Sequence, residues 1–205
     1  TRTRVAAITG RTRVEAVEIE NLDDGARHSV GCDAVVFTGD WIPDHELARL
    51  AGVELDPSTL GPLVDTALRT SRPGVFAAGN LVHPADTADV AALDGRHAAD
   101  QVAAWLAGQR PDPHQVRIRA SPPLRWAAPG LLRPGDPAPA RRRLLLWTDE
   151  LVRVPAVTVT QGGRAVARQR LPWPASPGRV FRVPWSVLSR VDPHGGDVTI
   201  GMRAR

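Results

Sequence analysis

The sequence contains one cysteine, no tyrosine and no lysine, and none of its apolar runs reaches the length of a membrane span. A single thiol, Cys32, excludes an internal disulfide, a CxxC redox pair and a cysteine-rich zinc site. At the head of the apolar stretch CDAVVFT it reads as a small buried hydrophobe rather than a nucleophile. Crossing a bilayer takes roughly eighteen or more consecutive apolar residues. Thr1-Arg2-Thr3-Arg4 is not followed by the apolar core of a secretory signal. The expectation is a soluble, cytoplasmic chain without a membrane partner. Neither GxGxxG nor a GxxxxGK phosphate loop occurs, so the sequence lacks the glycine turn that lets backbone N–H groups approach a pyrophosphate. Its six histidines follow no metal-ligand spacing, and no metal site is expected.

What is present is unevenly distributed. All 26 basic side chains are arginine, yet the formal net charge is only +4, which argues against a field strong enough for nucleic acid. Residues 1–110 hold ten arginines against sixteen acids, a net −6; residues 111–205 hold sixteen against six, a net +10. Opposite signs in the two halves predict two domains, 1–110 and 111–205. The stretch GQRPDPHQ reads as the linker, and the halves are expected to dock partly through charge. Six tryptophans among arginines could stack on single-stranded nucleic acid. Trp126, Trp147, Trp173 and Trp185 instead stand at strand-like positions, where sandwich cores use large aromatics.

The first half reads as α/β. RVAAITG, RVEAVEIE and RHSVGC are short strands, the last two joined by a turn with Asp24-Gly25 at its tip. DAVVFTG, apolar throughout, resembles a strand buried on both faces of a parallel sheet. DHELARLAG predicts a brief helix stopped by Gly52. Gly74 to Ala78 predicts a second apolar strand. Thr87 to Leu106 carries Val90, Leu93, Val102, Trp105 and Leu106 at helical spacing, with Asp86 or Thr87 as cap and Gly108 as stop. From Pro111 the texture changes to RRLLLWT, AVTVTQ, GRAVARQRL, RVFRVPW and DVTIGM, separated by proline, glycine and aspartate. That spacing predicts an all-β, immunoglobulin-like sandwich, with its best hairpin turn at Gln161-Gly162-Gly163-Arg164.

Two blocks in the first half carry a resemblance. CDAVVFTGDWIPDHEL, followed by VDTALRTSRPGVFAAGN and a long helix, is similar to the C-terminal part of FAD-dependent flavoproteins of the pyridine nucleotide-disulfide oxidoreductase superfamily. The likeness extends to the FAD subunits of opine oxidase and hydrogen cyanide synthase, and covers roughly Val5 to Gly108. It implies part of two dinucleotide-binding domains, FAD as cofactor, NAD(P) as a second one, and hydride or electron-pair transfer to or from a small substrate. A partner subunit or other electron acceptor belongs to the same expectation. Carried over, Thr38 and Gly39 match the threonine-glycine turn, and Gly79 and Asn80 stand where the superfamily has Gly-Asp. The backbone amides around Asp89, Val90 and Ala91 would lie near the flavin pyrimidine, where a helix N-terminus stabilises the negative charge of reduction. The resemblance implies the C-terminal region of a larger enzyme, inactive as this chain alone, and assigns no catalytic residue.

Other residues weigh less. His83, three residues after Asn80, reads either as a proton relay at the flavin edge or as a solvated loop histidine. His97 reads as a hydrogen-bonded packing residue. Asp149-Glu150 reads as an exposed turn, and Arg141-Arg142-Arg143 as a solvated strand entrance. A rival function is a protein-binding module, in which a basic sandwich recognises an acidic partner and the α/β part is a redox-inactive scaffold.

Overall fold

The computed structural model describes residues 2–36, 43–84 and 88–203. It divides into two compact units, Thr1–Asp40 and Trp41–Arg205.

The first unit is a three-stranded antiparallel sheet of β1 (Thr3–Thr9), β2 (Ala16–Asn21) and β3 (Arg27–Gly31), in that order. Its register places Ile8 and Val30 on either side of Val17. Cross-strand β-branched pairs of this kind are the unit of sheet stabilisation. Asp24 accepts the N–H of Ala26 at 2.9 Å and Gly25 takes φ +70°, which forms the predicted turn. Arg4 and Arg27 flank Glu20, and their guanidinium groups hold its carboxyl below the usual carboxylate range. Cys32 is only half-buried.

The buried strand expected at DAVVFTG does not form over its described part. Residues 33–36 have no strand partner, and Val36 is 82% exposed. A strand buried on both faces needs a neighbour on each side, and among the described residues none pairs with 33–36. Phe37, Thr38 and Gly39 lie outside the described residues.

The second unit begins with α1 (Glu46–Leu50), a single turn closed by Gly52 at φ +68°. The expected strand Gly74 to Ala78 is reduced to one bridge, Arg69 with Phe76. Thr70 bonds to the carbonyl of Val75 and Ala77 to that of Leu68, so the segment folds back on itself as a tight hairpin instead of joining a parallel sheet. Of its side chains Ala77 is buried, Phe76 and Ala78 are half-buried and Val75 is exposed; Ala77 joins Val64, Leu68 and Val82 in a small core against Ala98 of α2 (Ala88–Leu106). That helix stops at Leu106, where its spacing predicts, while the expected start at Thr87 lies outside the described residues; Leu93 and Leu106 are exposed, and its buried side chains are Val90 and Asp94.

The β-rich part follows as β4 (Val116–Ala120), β5 (Leu124–Ala128), β6 (Leu131–Leu132), β7 (Arg143–Thr148), β8 (Ala156–Gln161), β9 (Arg164–Arg170), β10 (Phe181–Pro184) and β11 (Val198–Arg203). These strands make a sheet ordered β10-β7-β5 and a second ordered β6-β4-β11-β8-β9, in which β4 and β11 run parallel. Alternate residues of both sheets, including Ile118, Leu144, Leu146, Val157, Val183 and Ile200, enclose one core. The turn at Gly162-Gly163 joins β8 to β9, both glycines having positive φ.

The change of texture near residue 110 falls inside this second unit. Leu131 donates its N–H to the Val64 carbonyl at 3.1 Å, and a Cβ at Gly130 would lie 2.4 Å from Leu63 Cδ1, so at Gly130 the segments before and after residue 110 meet without room for a side chain. They also meet through opposite charge, in the pairs Arg133 with Asp65, Arg141 with Asp94 and Arg117 with Glu54.

Candidate functional site

Gly79 opens a 3-10 turn, Gly79–Leu81, with φ +69°. That conformation strains any residue with a Cβ, and it lets the turn lie against the first turn of α2. An added Cβ at Gly79 would sit 3.4 Å from the Cβ of Ala91. Gly79 is buried and Asn80 half-buried; Asp89 is exposed, Val90 buried and Ala91 half-buried. The Gly-Asn turn and the helix N-terminus are thus brought together from positions about ten residues apart. Thr38, Gly39 and the expected cap residues Asp86 and Thr87 lie outside the described residues.

Beneath this turn lies a polar seam that sequence reading did not anticipate. Asp65 is fully buried and accepts four bonds: from the N–H groups of Ala67 (3.0 Å) and Arg69 (3.1 Å), from Arg69 Nε (2.8 Å) and from Arg133 Nε (3.0 Å). Arg69 also bonds to Asp136, which makes two carboxylates and two guanidiniums in one buried network. Burial alone would lower the pKa of Arg69, but its bonds to Asp136 and Asp65 outweigh that and raise it. Asp136 moves upward: burial is the largest cause and repulsion by Asp65 adds to it, while Arg69 opposes both.

The Asp136 shift has a sign that can be tested. A carboxyl that is easier to protonate folded than unfolded contributes stability at pH below the ordinary value of 3.8. That contribution is lost as pH rises through the higher folded value. Unfolding free energies of the parent minus those of Asp136→Asn should therefore fall as pH rises across this window. A flat or rising difference would contradict the burial of a proton-binding carboxyl.

Two histidines join the seam. His97 Nε2 donates to the Thr66 carbonyl at 2.8 Å, which is the packing role its position predicts. His83 is 4% exposed, so it is not the solvated loop residue its setting suggested; its ring stacks on Trp126, with centroids 5.7 Å apart and planes 12° off parallel. Trp126 stacks in turn on Trp147 at 5.8 Å. Arg141 departs from the expected solvated entrance as well, pairing with buried Asp94 of α2 at 2.8 Å, whereas Arg142 and Arg143 are exposed. A cavity of about 30 Å³, lined by His83, His97, Asp94 and Arg141 among others, has room for one water. Asp149 and Glu150 form the exposed turn expected of them, and Trp173 is 45% exposed rather than in the core. No described helix is long and apolar enough to cross a membrane, and the described residues contain no group of three or more histidine, cysteine or acidic side chains placed to hold a metal.

No protein-family model matches the chain. Two curated proteins are similar to it: the glutamate synthase [NADPH] small chain of Escherichia coli, 33% identical over 102 residues, and the ferredoxin–NADP reductase of Picrophilus torridus, 28% identical over 99 residues. Both are NADP(H) enzymes. The matches cover 47% and 48% of this chain but only 20% and 27% of those proteins, so the chain corresponds to about a quarter or less of their length. Among solved structures, the thioredoxin reductase of T. acidophilum is 30% identical and has a TM-score of 0.46, the match covering 52% of this chain and 35% of that one. These relatives belong to the FAD-dependent pyridine nucleotide-disulfide oxidoreductase superfamily that the two sequence blocks resemble.

Proposed function

We propose that this chain is the C-terminal region of an FAD-dependent, NAD(P)H-linked oxidoreductase, related to opine oxidase and hydrogen cyanide synthase FAD subunits, with a β-sandwich appended after about residue 110. The observation that carries the reading is the left-handed turn at Gly79, seated against Ala91 at the start of α2. It supports a cofactor cradle because the turn presents a short polar side chain, Asn80, beside a helix N-terminus, a favourable place for negative charge. The residues fit FAD: the Asn80 amide oxygen can accept from a ribityl hydroxyl and its NH2 can donate to a phosphate oxygen, while an ionised aspartate there could only accept. When bound, FAD supplies the two-electron chemistry between NAD(P)H and a small substrate or partner. This chain's residues orient it and place N–H donors near its pyrimidine edge.

Purified intact protein should carry flavin absorbance. Asn80→Ala should loosen FAD roughly tenfold, since a ligand polar group left without its partner costs about 1–3 kcal/mol. Asn80→Asp should retain the cofactor, and Gly79→Val should lose more than Asn80→Ala because a β-branched residue cannot take this φ without strain. An intact protein that stays colourless with added FAD would favour the protein-binding module instead.

A further inference from the structure

The outer face of the five-stranded sheet carries a feature that the redox reading does not use. Along β11, β8 and β9 the inward residues Val198, Ile200, Met202, Val157 and Val159 fill the core, which turns Thr199, Gly201, Arg203, Thr158, Thr160 and Arg168 outward. The register sets Gly201 opposite Thr158, and Thr158 opposite Arg168; Thr199 stands opposite Thr160 in the next outward row. Gly201 has no side chain to fill this surface, and beside it Ser121 Oγ lies 3.3 Å from where a Cβ would stand. The result is a trough of about 390 Å³, floored by hydroxyls and rimmed by Arg168 and Arg203. Neither arginine forms an ion pair among the described residues, and no carboxylate lines the trough.

We propose that this trough binds a small phosphate ester. Its volume lies within the range of roughly 300–1,000 Å³ typical of small-molecule sites. Threonine and serine hydroxyls can donate to phosphate oxygens, and guanidinium forks match phosphate geometry with paired N–H donors. An acidic peptide fits less well, because the lining offers no apolar pocket for intervening side chains. On β4 the arginines are neutralised internally, Arg119 by Asp197 and Arg117 by Glu54, whereas Arg164 and Arg170 of β9 are exposed and, like Arg168 and Arg203, form no ion pair among the described residues; the trough is where two such guanidiniums flank a floor of hydroxyls.

The test is a titration of the chain with inorganic pyrophosphate, followed by amide chemical shifts at about 150 mM salt. Perturbations should centre on Thr158, Thr160, Arg168, Thr199 and Gly201, with a dissociation constant of about 1 mM or tighter. Arg168→Gln and Arg203→Gln should each weaken binding several-fold, and the double variant by roughly tenfold or more. Gly201→Val, which fills the floor with a strand-compatible residue, should abolish binding. Melting temperatures of the arginine variants close to the parent's would exclude unfolding as the cause. No perturbation at about 10 mM pyrophosphate, unchanged affinity in the double arginine variant, or tighter binding of an acidic peptide than of pyrophosphate at these residues would each overturn the proposal.

Discussion

Replacing Asp65 with alanine should destabilise the chain by about 3–5 kcal/mol, the range found when one partner of a buried ion pair is removed. Asp65 is fully buried, and its two oxygens satisfy two backbone N–H groups and two guanidinium Nε atoms from Arg69 and Arg133. Truncation would deprive all four donors of their acceptor in a buried setting, and would leave two mostly buried cations with Asp136 as the remaining counter-charge of the network. Arg133 comes from the β-rich part and Arg69 from the α/β part, so the loss should also loosen the seam between them. Asp65→Asn keeps an acceptor oxygen but not the charge, and should fall between parent and alanine. Chemical denaturation would read these differences, and a thermal melt should drop by roughly 6–20 °C for the alanine variant in a chain of this size. A change within about 0.5 kcal/mol, as expected of an ordinary surface site, would mean that the seam contributes little to holding the two parts together.

The seam also shows where sequence reading stops. Local patterns were legible: alternation with Asp24-Gly25 specifies β2 and β3, periodicity with Gly108 specifies α2, and the β-rich texture after Pro111 specifies β7 to β11. Each of those signals is written within about twenty residues. Asp65 and Arg133, by contrast, are 68 positions apart, and Arg141 and Asp94 are 47 apart. No local pattern separates Arg141 from Arg142 and Arg143, because burial by a distant helix is what distinguishes them. The charge asymmetry of the two halves was the one global signal, and it appears in the structure as cross-seam ion pairs. The apolar runs at DAVVFTG and Gly74 to Ala78 misled for a related reason. An apolar run does not specify its strand partners: the described part of DAVVFTG, residues 33–36, stays largely exposed, and Gly74 to Ala78 is partly buried within a hairpin instead of a sheet. Of the candidate site, Gly79 was singled out by its resemblance to the superfamily's Gly-Asp pair, and it takes a positive φ that favours glycine, whereas the burial of His83 was not legible, since it depends on Trp126.

That dependence leads to the second large effect. Trp126 is 2% exposed on β5 and stands between the rings of His83 and Trp147. Trp126→Ala should cost about 3–5 kcal/mol, as expected for truncating a large buried aromatic. Part of that loss should fall on the loop that carries the candidate site. His83 lies just after the Gly79–Leu81 turn, and the Val82 N–H donates to the Gly79 carbonyl at 3.0 Å, so the stack and the turn restrain the same few residues. Hydrogen exchange at Val82 should accelerate in Trp126→Ala by more than the loss of global stability accounts for, because local opening of the loop would no longer require breaking the stack. Trp126→Phe retains an aromatic face and should recover most of the protection. Trp147→Ala removes a half-buried ring from the far side of Trp126 and should slow Val82 closure less. Equal acceleration at Val82 and at core amides of β8 in Trp126→Ala would show that Trp126 only fills the core. Selective acceleration at Val82 would instead make a strand from the β-rich part a positioning element for the Gly79-Asn80 turn, and would give that part a role in the geometry of the proposed cofactor site.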